Sequence, residues 1–213
     1  MTKKVQSVNT QIENIIKEDT VLQKGLSRKI INVRALAKYI SKKFSIVSLD
    51  SIISGIRRFN LQEFDEEEQK ILNVFKGSIV RTKNDVVCIT LSTPLISIFN
   101  KISSLNNISS IRSVVGSKEM KILFEAPSFE KIKEVLNERE IKKIETNLSE
   151  ISISVQEKAI LTKGVMAKIA TEIALENINI IELVVCPPEF LIYIKQKDIV
   201  KAHETILRLC SVN

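Results

Sequence analysis

Apolar residues recur at helical spacing through the first 75 positions. Val5, Val8, Ile12, Ile15 and Ile16 predict a first helix, with Gly25 in the break after it. Asn32 is placed to cap a second, whose apolar face is Val33, Leu36, Ala37, Ile40 and Phe44. Ser48 is placed to cap a third, with Leu49, Ile52, Ile53, Ile56 and Phe59 turned inward. Only about four residues join the last two, a spacing that suits a helix-turn-helix. In 61–75, Glu63, Asp65, Glu66, Glu67 and Glu68 precede Ile71, Leu72 and Phe75. This predicts a connecting helix whose acidic start its macrodipole favours.

Beyond residue 76 the pattern changes and repeats with a period of 70. Laid on one another, 91–134 and 161–204 share eleven identities in 44 positions, against roughly three expected by chance from so biased a composition. Among them are Asn107/Asn177, Ile108/Ile178, Val114/Val184 and Glu119/Glu189. Each repeat predicts a strand ending near Ser92 or Thr162, then a helix from Pro94 or Gly164. A strand at 108–115 or 178–185 and a turn at 116–119 or 186–189 come next. A strand at 120–125 or 190–195 and a helix from Ser128 or Asp198 complete the pattern, and the first repeat adds a strand at 141–145.

The expected class is therefore α+β: a three-helix unit (1–62), a connecting helix (63–75) and two ferredoxin-like βαββαβ repeats (76–147 and 148–213). The second repeat is one strand short, and residues 77–82 are expected to supply it. Open sheet edges favour a homodimer or higher homo-oligomer.

Composition narrows the chemistry. The 213 residues are 44% hydrophobic and 27% charged, ordinary for a globular protein. No apolar run reaches the roughly 18 residues of a membrane span, and the first residues do not read as a signal peptide. A cytoplasmic protein without a membrane partner is expected. With 5% aromatic residues and no Trp, an aromatic platform for single strands is not expected. Cys88, Cys186 and Cys210 form no CxxC and the one histidine is His203, so free buried thiols are expected rather than a zinc site. No cofactor, metal or catalytic group is expected, and the chain does not read as an enzyme.

Charge is uneven. Residues 1–60 hold twelve Lys/Arg against four Asp/Glu, and the rest hold 20 against 21. The whole +7 excess thus belongs to the helical start, as for a surface that meets a polyanion. On the third helix Ser51, Ser54 and Arg58 share one face with Arg57 beside it, placed for base edges of double-stranded DNA. Lys38, Lys42 and Lys43 are placed for its backbone. The plainer reading is a solvated basic surface on a packed helical unit.

Particular runs resemble a known family. ILTKGVMAKI at 160–169 and ENINII at 176–181 resemble the ACT domains of aspartokinases. KNDVVCITL at 83–91 looks like the opening of their paired regulatory domains. The resemblance covers about 76–213 and is weaker in the first repeat, where Pro94 stands for Gly164 and Ser109 for Asn179. GLSRKIINVRALAKYI at 25–40 looks like archaeal helix-turn-helix proteins that carry ACT repeats. Nothing resembles the aspartokinase catalytic domain.

The resemblance implies a small-molecule effector, an amino acid, held between paired ACT domains by the loop before the first helix and the start of the second strand. Carried over, the effector-binding candidates are Thr162, Lys163, Gly164, Val165, Met166, Ala167, Asn177, Ile178, Asn179 and Ile180. Lys163 departs from the acidic or polar residue often found there. Helix N-terminal N–H groups suit a carboxylate, and an Asn amide both donates and accepts. The plainer readings are that Gly164 serves a tight loop, Asn177 ends the preceding helix and Met166 packs in the core. The function implied is a ligand-responsive DNA-binding transcriptional regulator. The alternative is a non-catalytic regulatory protein that docks on an amino-acid biosynthetic enzyme.

Overall fold

The computed structural model describes residues 7–46, 48–92, 98, 100, 102 and 111–211. The chain divides into two compact units, one up to Lys70 and one from Ile71. The expectations at Val5, Pro94 and 108–110 lie outside the described residues.

The first unit is helical. Ser7 caps α1 (Val8–Lys17), Asn32 caps α3 (Val33–Phe44) and Ser48 caps α4 (Leu49–Arg58), each through its side-chain oxygen. The expected break around Gly25 is instead a further helix, α2 (Thr20–Ser27). Asp19 starts it by accepting the N–H groups of Val21 and Leu22. Gly25 lies inside α2 because Ile31 packs there: a Cβ would meet its Cδ1 at 2.5 Å. Among the described residues four helices, not three, therefore precede α5 (Gln62–Phe75).

Ile12, Ile16, Leu36, Ala37, Ile40, Ile46, Ile52 and Ile56 form the core of this unit. Phe44 and Leu49, expected inside, flank the α3–α4 connection and are 43% and 39% exposed. The connection turns sharply at Ser45, whose left-handed backbone ends α3. In the first unit's part of α5, Asp65 accepts the Ser27 hydroxyl and Glu68 faces Arg28 at 3.8 Å.

The second unit is built on a six-stranded antiparallel sheet: β1 (Ile79–Leu91), β2 (Arg112–Val115), β3 (Met120–Glu125), β4 (Ile141–Ser154), β5 (Glu182–Cys186) and β6 (Glu189–Lys195). Their order is β2-β3-β1-β4-β6-β5. Helices α6 (Phe129–Val135), α7 (Val165–Leu175) and α8 (Ile199–Cys210) follow β3, β4 and β6.

The strand expected at 141–145 is only the start of the 14-residue β4. The strand expected to end near Thr162 ends at Ser154, and residues 157–161 form a 3-10 turn. β5 starts at Glu182 rather than 178, because Asn177 adopts a left-handed backbone after α7.

The two long strands serve both halves of the sheet. Residues 86–91 of β1 pair with β3 and with 141–148 of β4. Residues 79–83 pair with 150–154 of β4, and 148–154 also pair with β6. Between these stretches Asp85 and Asn147 take left-handed backbones, where β1 and β4 shift register. Short polar side chains tolerate that conformation, and such bulges bend a strand.

The bends fold the sheet on itself. In a flat sheet β3 and β5, four strands apart, would be about 19 Å apart, yet Lys121 of β3 pairs with Glu182 of β5 at 2.5 Å. Between the facing halves lies an inner core of Val86, Cys88, Leu123, Leu148, Leu191 and Tyr193.

Alternate residues point outward. Val87, Ile89, Leu91, Ile122 and Phe124 form one outer core with Ile132 of α6. Ile151, Ile153, Phe190, Ile192 and Ile194 form the other, with Phe75, Ile169, Ile173, Ala202 and Ile206. Burial on both faces explains why these strands read as continuous apolar runs.

Among the described residues no helix is long and apolar enough to cross a membrane, and no group of three His, Cys, Asp or Glu is placed to hold a metal ion. Of the thiols expected to be buried, Cys88 is buried, Cys210 is half-buried and Cys186 is exposed. Cys186 ends β5, the edge strand of the sheet among the described residues.

Candidate effector site

The 3-10 turn after β4 leads through Thr162, Lys163 and Gly164 into α7. Gly164 is at φ +85°, so the chain can reverse here into a helix. The Lys168 N–H donates to the Gly164 carbonyl at 2.9 Å, and among the described residues no side-chain cap is present at this helix start. Residues of this helix start line a groove of about 510 Å³.

One wall of the groove is residues 159–167, and the other is Val185, Pro187 and Phe190 from the β5–β6 hairpin. The lining is mostly apolar, and its one charged residue is Lys163. Leu161 on the rim is 88% exposed and Met166 is 52% exposed, so Met166 is not a core residue. Val165 is, at 3% exposure. Thr162 turns its hydroxyl to the Lys158 carbonyl at 2.9 Å. A second depression of about 560 Å³, sharing Ile160, Leu161 and Pro187 with the groove, is also lined by Pro188.

Gly164 has little freedom to change. A Cβ there would stand 3.0 Å from Ile71 Cδ1 as well as straining the backbone. Gly164→Ala is expected to cost about 1–2 kcal/mol, measured by urea unfolding. No loss would mean the loop can relax into another conformation.

The candidates at 177–180 lie at the far end of α7. Its 11 residues span about 16 Å at 1.5 Å per residue. Asn177 closes the helix end with its N–H on the Ala174 carbonyl at 2.9 Å. Ile178 is a core residue, Ile180 packs half-buried against the same core and Asn179 is exposed. The fold thus gathers residues 162–167 into one groove and holds 177–180 apart from it. Sequence reasoning missed Val185, Pro187 and Phe190. The only signal for them was the turn at 186–189, read as a hairpin and nothing more.

On the first unit the DNA candidates divide. Ser54, Arg57 and Arg58 are exposed on α4. Ser51 is half-buried, with its N–H and hydroxyl engaged by the Ser48 cap. Arg58 donates to the Ser54 carbonyl at 3.2 Å, and Asp50 lines the same depression as Ser51, Ser54 and Arg58. Lys38 and Lys42 are exposed on α3. Lys43 donates to the Tyr39 hydroxyl at 2.8 Å and lies over the Tyr39 and Phe44 rings. That hydrogen bond holds its ammonium above the usual lysine range.

No protein-family description matches the chain, and no curated protein sequence does. Solved structures do. What they share with this chain is a mixed fold, an antiparallel sheet with helices, and they include aspartate kinases and their regulatory subunits.

The aspartate kinase of Clostridium acetobutylicum superposes with a TM-score of 0.53 at 20% identity, covering 65% of this chain and 36% of that one. The ligand-free regulatory subunit of aspartate kinase from Thermus thermophilus gives 0.51 at 17%, covering 61% and 95%. Aspartate kinase from Synechocystis gives 0.52 at 16%, covering 63% and 27%. This chain therefore spans about a third of the whole kinases and nearly all of the separate regulatory subunit. The likeness is one of fold.

Proposed function

We propose that the protein is a non-catalytic, amino-acid-responsive regulator whose helical first unit binds double-stranded DNA as a helix-turn-helix. The observation that carries the sensing half is the groove at the uncapped start of α7. There the N–H groups and the Lys163 ammonium attract a carboxylate, while Met166, Val185 and Phe190 receive an aliphatic side chain. The ligand class is thus an amino acid with an apolar side chain. The fold shared with an aspartate kinase regulatory subunit supports the same reading.

One amino acid cannot reach both ends of α7 in one chain. Two copies related by a two-fold axis, with their α7 helices antiparallel, would bring 162–167 of one toward 177–180 of the other. This supports a homodimer as the sensing form.

The DNA half rests on the short α3–α4 connection, the exposed Ser54, Arg57 and Arg58, and the basic excess of residues 1–60. Asp50 beside that face, with Tyr39 and Phe44 exposed nearby in sequence, favours the second reading, docking on an amino-acid biosynthetic enzyme.

Thermal unfolding with each proteinogenic amino acid tests the sensing half. An apolar amino acid at one hundred times its dissociation constant is expected to stabilise the fold by about 2.7 kcal/mol. Lys163→Glu is expected to abolish the shift by repelling the carboxylate. If no amino acid shifts the transition, the sensing role is rejected.

A further inference from the structure

The cations of the first unit are not equivalent. Lys17 pairs with Glu13, Arg28 faces Glu68, Lys43 is held by Tyr39, and Arg58 is turned to its own backbone beside Asp50. Lys29 and Arg57 are also exposed and without an ion pair among the described residues, but belong to no such row. Arg34, Lys38 and Lys42 are exposed on α3 at i, i+4 and i+8, one row along one face. None has an ion-pair partner among the described residues, and α3 contains no acid.

The helix alone does not explain the row: Lys42, in the last turn, suits the macrodipole, but the other two do not depend on it. Arg34 stands in the first turn, where the macrodipole repels a cation. Like charges four apart repel each other as well. An arrangement that weakens the free helix in two ways becomes favourable when a row of anions lies along it. Successive cations rise by about 6 Å along the axis, and a nucleic-acid backbone presents charges in such a row.

A lipid surface fits less well. The apolar side of α3, with Leu36, Ala37 and Ile40, is already buried in the unit's core and cannot enter a membrane.

We infer that Arg34, Lys38 and Lys42 form the phosphate-binding surface that anchors the chain on duplex DNA, and that α4 does not supply this anchor. The inference rests on the DNA-binding reading above and deepens it. Contacts to phosphate position a protein without reading bases, so the anchor is indifferent to sequence.

The test is fluorescence anisotropy of two unrelated labelled duplexes with the full chain across a salt series. The wild type is expected to bind with a steep salt dependence. The R34Q/K38Q/K42Q variant is expected to flatten the plot of log K against log[salt] by about 2.7, at about 0.9 per lost phosphate contact, on both duplexes. A control that removes two cations elsewhere on the unit, Arg28→Gln with Lys29→Gln, is expected to keep the wild-type slope. If the triple variant does not fold, Lys38→Gln alone is expected to lower the slope by about 0.9.

A wild-type slope in the triple variant, with the loss confined to Arg57→Gln/Arg58→Gln, overturns the inference and leaves DNA binding intact. No binding of the wild type to either duplex at low salt overturns both. Binding to phosphatidylserine vesicles but not to duplex also overturns both.

Discussion

Leu191→Ala is expected to destabilise the second unit by about 3 kcal/mol. Leu191 is 1% exposed and lies in the inner core with Val86, Leu123, Leu148 and Tyr193. Removing a buried leucine loses its transfer free energy and leaves a cavity that neighbours fill only in part, typically at about 2–5 kcal/mol. Strands flank Leu191 on both sides in the sheet, and the other half faces it, so collapse into the gap is limited.

The substitution also has a local signature. Cys88 shares this layer at 1% exposure, and burial pushes its thiol up to about 11. In the wild type Cys186 is expected to react promptly with a thiol reagent and Cys88 only on opening. In Leu191→Ala the Cys88 reaction is expected to quicken with the lost stability. A loss below about 1 kcal/mol, within the range of ordinary surface changes, together with an unchanged Cys88 rate, would show that the two halves are not held together through this layer.

The inner layer was not legible in the sequence, for a physical reason. Alternation along 86–91 and 190–194 is masked when both faces are apolar, so periodicity cannot say that a second sheet face is buried. The continuity of β1 through Asp85 and of β4 through Asn147 was not legible either. Polar residues within apolar runs read as turns that end strands, whereas here they bend strands that continue.

Helix starts were easier. Asn32 and Ser48 announce α3 and α4 because a capping oxygen acts locally. Asp19 does the same for α2, but the segment after it has a short apolar face and a glycine, so its periodicity is weak. The candidate site divides in the same way. The loop at 162–167 is one stretch of chain ending in a glycine that needs a left-handed backbone. Phe190 reaches the groove only through the fold of β5 and β6. The separation of 177–180 from that loop is simple helix arithmetic, hidden because the family pattern names both sets together.

Tyr193→Phe carries the second large effect. Tyr193 and Glu150 stand opposite each other on β6 and β4, and the phenol donates to Glu150 Oε2 at 2.6 Å. Their exposures are 0% and 8%. Deleting the hydroxyl takes a donor from a buried carboxylate while leaving the carboxylate in place. A charged acceptor deprived in this way costs about 2–3 kcal/mol. Replacing both partners, as Tyr193→Phe with Glu150→Leu, is expected to recover much of that loss.

The pH dependence separates the phenol from mere packing. Burial, and then the hydrogen bond to Glu150, raise the Tyr193 phenol above its ordinary value of 10.0. The folded state therefore keeps a proton that the unfolded chain releases. The stabilisation is complete below pH 10 and falls as pH rises beyond it, by about 1.4 kcal/mol per unit for one proton. Cys88 adds a similar decline between its ordinary value of 9.0 and about 11. Wild-type stability in urea is thus expected to fall from about pH 9 and more steeply above 10. Tyr193→Phe begins from lower stability at pH 8 and lacks the phenol's decline, keeping those of Cys88 and the half-buried Cys210, whose thiol burial also raises. Parallel curves for the two proteins above pH 10 would mean that the phenol does not hold its proton in the fold, and that the Glu150 contact is not what orders this part of the inner layer.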